Sequence, residues 1–237
     1  MNTDRLITRR TVMSATCVAT VAAMMSPAPT AEAKTDLGRP RVMWQQCVER
    51  ALQCFPTGGG YHTGRNIPPG FRQTAWTGLD RAVRVTATGV CVDPYLATPS
   101  FCSSATYLLL LKSLELYEKT CGVMPPRKEW EYLKPYTVDH RPYPIQNDGV
   151  GAWGRANANG PGMAELAHEL KIGTNLYIGT TGEYANLADR NEMFASIRRY
   201  DFMKIFWNDE IGKDERGHMV LVLGRSRHCD RFGRRAG

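Results

Sequence analysis

The sequence predicts a mixed α+β domain, with one long and largely enclosed helix packed on a small antiparallel sheet. Two observations carry this. The stretch from Ser100 to Gly122 places Tyr107, Leu110, Leu111, Leu114 and Tyr117 on one stripe at helical spacing. The stretch from Asp201 to Gly224 holds two strand patterns separated by a polar loop. In the helix, Leu108 and Leu109 widen the apolar arc, and Lys112, Glu115 and Lys119 fall on the opposite side. Pro99 blocks helix upstream, Ser100 can cap it, and Gly122 can end it.

Taken in order, the elements begin with Met1–Ala33, which reads as an export signal. Arg5, Arg9 and Arg10 make a basic start, Thr11–Met25 is uncharged, and Ala31-Glu32-Ala33 is a small-x-small cleavage pattern. The uncharged run is about 15 residues, short of the roughly 20 that span a bilayer. Thr8-Arg9-Arg10-Thr11-Val12-Met13 also resembles a twin-arginine export motif. Cleavage after Ala33 is expected, so the protein is expected in the periplasm or outside the cell. Residues 34–40 read as a linker, and residues 41–224 as one catalytic-size domain with its own hydrophobic core.

Within that domain, Val42–Phe55 reads as a helix with Trp44, Val48, Leu52 and Phe55 on one face. Pro56–Gly70, with Gly58-Gly59-Gly60 and Pro68-Pro69-Gly70, reads as a loop or cleft rim, and His62 as a surface histidine in it. Val83–Val92 has β character. Pro125–Pro144 reads as a proline-broken loop carrying Trp130, Tyr132, Tyr136 and Tyr143, and Asn147–Gly162 as a Gly/Asn-rich loop around Trp153. Met163–Lys171 is a short helix bearing a structural His168. Asn175–Gly182 is a strand and turn, and Tyr184–Arg198 is helical. Asp201–Trp207 and Gly217–Gly224 then form the antiparallel pair, the second strand opening on His218 and continuing in Met, Val and Leu.

Charge and cysteine usage narrow the classes. The chain has 30 Lys+Arg against 23 Asp+Glu, a formal net charge of +7, and stays basic once Met1–Ala33 is removed. The basic residues are scattered except in the tail 225–237, so no nucleic-acid partner is expected. Of 7 cysteines, Cys17 leaves with the signal. Cys47 and Cys54 lie seven residues, roughly 10.5 Å, apart along one helical stretch, so they pair only if that helix breaks. No C-x-x-C pair exists and the histidines are scattered, so neither a metal nor an organic cofactor is expected.

Two residues carry chemistry. Cys102 sits in the first turn of the long helix, where free backbone N–H groups and the positive end of the helix dipole favour a sulfur nucleophile. Ser103 and Ser104 follow it, which suggests that the sulfur faces a cleft. Most free cysteines are inert core residues, so position alone does not make it catalytic. His218, opening an apolar strand, is the second. A cysteine on a helix N-terminus and a histidine on a later strand make a hydrolase pair: imidazole takes the thiol proton, sulfur attacks an acyl carbon, and imidazolium protonates the leaving group. The helix N-terminus offers N–H groups to the oxyanion.

The order of these parts resembles the NlpC/P60-like branch of papain-fold cysteine hydrolases. In that family a cysteine heads the central helix. A strand beginning Gly-Asp-hydrophobic then precedes one of the type His-x-Gly-Ile-Tyr-Leu-Gly. Tyr200-Asp201-Phe202 and His218-Met219-Val220-Leu221-Val222-Leu223-Gly224 stand in those places. At the nucleophile the family's Asp-Cys-Ser-Gly is here Phe101-Cys102-Ser103-Ser104. The resemblance implies a papain-like fold, Cys102 as nucleophile, His218 as general base, and amide bonds of peptidoglycan peptides as substrate. It also implies a third residue on a strand after the histidine. Only residues 225–237 follow, with His228 and Asp230 available, so the final strands of the family's sheet are expected to be missing. Trp153 and Asn157 are groove candidates, an aromatic and an amide suited to a peptide-bearing glycan. A monomer is expected. The rival expectation is a non-catalytic wall-binding or interaction protein in which Cys102 is structural and the scattered tyrosines and tryptophans bind. An acyl-transferring relative would use the same pair.

Overall fold

The computed structural model describes residues 7–12, 38–62, 64–71, 73–86, 89–122, 127–135, 145–146, 149–158, 162–163, 166–167, 174–178, 194–195, 197–207 and 216–224. The architecture is α+β. In chain order the elements are β1 (Ile7–Val12), α1 (Gly38–Leu52), α2 (Gln73–Trp76), β2 (Val83–Thr86), β3 (Gly89–Val92), α3 (Cys102–Cys121), α4 (Arg127–Leu133), β4 (Ile145–Gln146), β5 (Gly149–Val150), α5 (Gly151–Ala156), β6 (Thr174–Ile178), β7 (Phe202–Phe206) and β8 (Gly217–Leu221).

The long helix α3 is the centre of the core, as its periodicity predicts. Tyr107, Leu108, Leu110 and Leu111 are buried, while Leu114 and Tyr117 pack on the core from its margin. Gly122 ends the helix in the left-handed region, φ 68°, where a residue without Cβ carries no steric penalty. At the other end Phe101, not Ser100, occupies the capping position, and the Ser104 hydroxyl takes the Phe101 N–H at 3.0 Å. α1 and β3 pack against α3, with the Trp44 and Tyr117 rings edge-on at 6.1 Å.

The polar side of α3 is not a solvated face. Glu115 is buried, and its Oε2 accepts the Val92 N–H at 3.1 Å and the Lys112 ammonium at 2.8 Å. Lys119 pairs with the other carboxylate oxygen. Strand β3 ends against this side of the helix, so the carboxylate satisfies a backbone donor that would otherwise be buried alone.

Sheet order is β6-β1-β7-β8, every neighbouring pair antiparallel. The β7–β8 pair is antiparallel as expected, with Phe202 opposite Leu221 and Ile205 opposite His218. Strand β1 was not anticipated. It lies within the stretch read as the basic start of an export signal, yet Ile7, Thr8, Thr11 and Val12 are β-branched and suit a pleated strand. Residues 38–40 extend α1 into the expected linker, with Pro40 in the first turn, where its missing N–H costs nothing. The helix also stops at Leu52, short of Phe55.

Two expected loops contain helices. In α4, Trp130 and Leu133 are buried on one face, and Trp130 Nε1 donates to Glu118 at 3.1 Å. In α5, Gly151, Ala152, Gly154 and Ala156 let the backbone approach closely while Trp153 fills the core, so burial overrides weak helix propensity. Val83–Val92 is a hairpin of two short strands rather than one. Tyr136, Tyr143, His168 and the basic tail lie outside the described residues, as do the cleavage pattern at Ala31–Ala33, His228 and Asp230. No helix among the described residues is long and apolar enough to cross a membrane.

Candidate active site

Cys102 is the first residue of α3 and is half-buried. Its setting is built by the Gly-rich loop before it. Ser100 N–H donates to the Gly60 carbonyl at 2.9 Å, and the His62 N–H donates back to the Ser100 carbonyl, so Tyr61 and Ser100 form a parallel bridge. This lacing carries Tyr61 to the start of the helix. There the Tyr61 phenol stands beside Cys102. Partial burial, followed by the facing Cys102 sulfur, holds the Tyr61 hydroxyl above its ordinary value, so it remains a proton donor through neutral pH.

Cys102 and His218 line one cavity of about 520 Å³. Its walls come from the Gly59–Tyr61 loop, from Pro94 to Thr98, from the first two turns of α3, and from residues 218–221 of β8. On β8, Met219 is buried against the core while His218 and Val220 are half-buried on the alternate face. Consecutive residues from both faces line the cavity because β8 is an edge strand of the described sheet, and the cavity runs along that edge. Among the described residues, no side chain hydrogen-bonds the His218 ring; His228 and Asp230 lie outside the described residues.

The fit of β8 against β7 is tight. A Cβ on Gly217 would lie 2.4 Å from the Ile205 carbonyl oxygen, so only glycine fits beside His218. Lys204 on β7 is fully buried, its ammonium 4.0 Å above the Phe206 ring centroid. Tyr200, just before β7, holds φ 71°, a left-handed conformation that favours glycine.

The two serines after Cys102 do not mark the cleft. Both are buried: Ser103 Oγ accepts the Ala158 N–H at 2.8 Å, fixing the first turn of α3 to the end of α5, and Ser104 serves the helix cap. Cys102 Sγ lies 3.7 Å from Ser103 Oγ.

Trp153 and Asn157 are corrected as groove candidates. Both are fully enclosed, and the Trp153 ring packs at 5.3 Å from Tyr107 and 6.0 Å from Phe101. Composition alone suggested an open loop, but the small residues around Trp153 make a buried helix. His62 is likewise not a surface histidine. It is buried between the Trp76 and Phe101 rings, 4.9 and 5.4 Å away, with Nδ1 at 2.9 Å from the Asn66 side-chain oxygen. It supports the residue before the cysteine from behind. Tyr61 is the site residue that sequence reasoning missed; the one signal for it was its place next to three glycines in a segment read as a cleft rim.

Cys47, Cys54, Cys91, Cys102 and Cys121 are all free thiols. Among the described residues no cluster of His, Cys, Asp or Glu could hold a metal ion. No family model, curated protein or solved structure matches the chain.

Proposed function

We propose that the chain is a cysteine hydrolase with the papain-like, NlpC/P60-type fold, acting through Cys102 and His218. The observation that carries this is the single cavity into which both residues open, one from a helix N-terminus and one from an edge strand. Supporting it, Tyr200 stands where the family pattern has glycine before the strand aspartate, and it takes the backbone conformation a glycine would.

On this reading the steps are those of a cysteine–histidine pair. His218 accepts the Cys102 thiol proton as sulfur attacks the acyl carbon. The oxyanion forms beside the Cys102 backbone N–H, and the Tyr61 hydroxyl beside Cys102 is a second donor for it. The His218 imidazolium then protonates the leaving group, and a thioester remains. Water, deprotonated by the same imidazole, releases the acid and restores the thiol. Amide bonds of peptidoglycan peptides are the substrate that the resemblance carries, in keeping with a basic chain whose first 33 residues read as an export signal. Cleavage after Ala33 would remove β1, the strand between β6 and β7.

The test is a digest of purified peptidoglycan, read by mass spectrometry for newly freed amines. The proposal expects release by the wild-type protein and none by Cys102→Ala or His218→Ala of unchanged circular dichroism. Release that persists in Cys102→Ala would overturn it.

A further inference from the structure

We infer that the cavity holds an uncharged, apolar acyl chain, so that the preferred substrate is an ester, thioester or amide of such a chain. This rests on the cysteine-hydrolase reading and names what that site acts on. Around Cys102 and His218 the walls are Phe55, Pro56, Pro94, Phe101, Leu108 and Val220, and no Asp, Glu, Lys or Arg is found among the described lining residues. Two of the hydroxyls in the wall are engaged by their own chain, and that of Tyr61 stands at Cys102. Thr106 Oγ1 donates to the Cys102 carbonyl at 2.7 Å, and Ser100 Oγ is bonded to Ser104 Oγ at 2.7 Å. A carboxylate entering here would find no charged partner among the described lining residues, and shedding its water without one is unfavourable.

The dimensions fit a chain several carbons long. Leu108 is six residues from Cys102 on α3, about 9 Å down the helix. A cavity of about 520 Å³ is far larger than an alanyl side chain needs. A peptidoglycan stem peptide would enter only with an uncharged residue on the acyl side of the cut bond, its carboxylates outside.

The reaction to follow is cleavage of p-nitrophenyl esters. Cys102 sulfur bonds to the carbonyl carbon, p-nitrophenolate leaves with the electron pair of the broken C–O bond, and water then cleaves the thioester to the free acid. The series is acetate, butyrate, octanoate and the monoester of suberic acid, which matches octanoate in length but ends in a carboxylate. Rates in Cys102→Ala are subtracted. Each methylene that leaves water on binding is expected to raise kcat/KM about fourfold, and octanoate is expected to exceed the suberate monoester by at least about tenfold. Cys102-dependent rates that are flat with chain length, or that favour the suberate monoester, overturn the apolar-acyl inference and leave the cysteine-hydrolase reading standing. No Cys102-dependent release, together with no acyl adduct on Cys102 by mass spectrometry, overturns both.

Discussion

Replacing Glu115 by alanine removes one carboxylate that holds three groups, and the cost can be worked from its contacts. The Val92 N–H is left in a buried position without its acceptor, costing about 1–3 kcal/mol. Lys112, whose side chain is 14% exposed, loses a charge-assisted hydrogen bond of about 1.5–3 kcal/mol, though it keeps the Val92 carbonyl at 2.9 Å. Lys119 is 61% exposed, so its pair with Glu115 adds at most about 0.5 kcal/mol. The expected loss is about 3–5 kcal/mol, the usual range for opening a buried ion pair on one side. At about 2–4 °C per kcal/mol for a chain of this size, Tm falls by roughly 6–20 °C. The assay is urea and thermal unfolding of Glu115→Ala beside Lys119→Ala, which should cost no more than about 0.5 kcal/mol. The loss should also reach the site. Val92 leads into Asp93, whose carboxylate accepts the Tyr95 N–H at 3.1 Å and shapes the Pro94–Leu96 turn beside the cavity. If Glu115→Ala and Lys119→Ala cost the same, the carboxylate is not buried between α3 and β3 as described.

Three further predictions probe different parts of the molecule. Burial raises the Glu118 carboxyl above its ordinary value of 4.5, outweighing the Trp130 hydrogen bond. The folded state then binds this proton more tightly than the unfolded chain, so ionised Glu118 costs stability at neutral pH and the cost fades as pH falls through the raised value. Glu118→Gln keeps an acceptor for Trp130 and cannot ionise. Its urea midpoint should exceed wild type near neutral pH and converge with it in acid; a constant offset would contradict the assignment. Tyr61→Phe removes the hydroxyl that meets Cys102 while leaving the exposed ring. It should lower kcat about 100-fold with Tm unchanged, the lower end of the range for loss of an oxyanion donor. Trp153→Ala should cost about 3–5 kcal/mol of stability as a large-to-small core change. A change in KM with stability intact would instead return Trp153 to the groove.

What could be read in the sequence was what local pattern determines. The helix through Tyr107, Leu110 and Leu111, its stop at Gly122, and the pairing of Phe202–Phe206 with Gly217–Leu221 follow from periodicity and one glycine. Cys102 and His218 were legible for the same reason, since each stands at the start of a strongly patterned element, and the fold brings them to one cavity. What was missed depends on tertiary contacts. Helix α5 forms because Trp153 needs a core and the small residues beside it allow one, which composition reads as loop. Glu115 looks like a surface residue until β3 is laid against it. Tyr61 reaches the cysteine through a bridge to Ser100 that no spacing rule announces. Strand β1 was hidden because a basic start followed by apolar residues satisfies an export-signal pattern, whereas pairing with β6 and β7 is a long-range event.

The most direct measurement is the rate of Cys102 alkylation by iodoacetamide across pH, with the modified residue identified by mass spectrometry, in wild type and His218→Ala. The account predicts labelling of Cys102 ahead of buried Cys47, and a clear slowing in His218→Ala, because the two side chains line one cavity. Equal rates in the two proteins, or a Cys102 that labels only on unfolding, would contradict the pairing of these two residues.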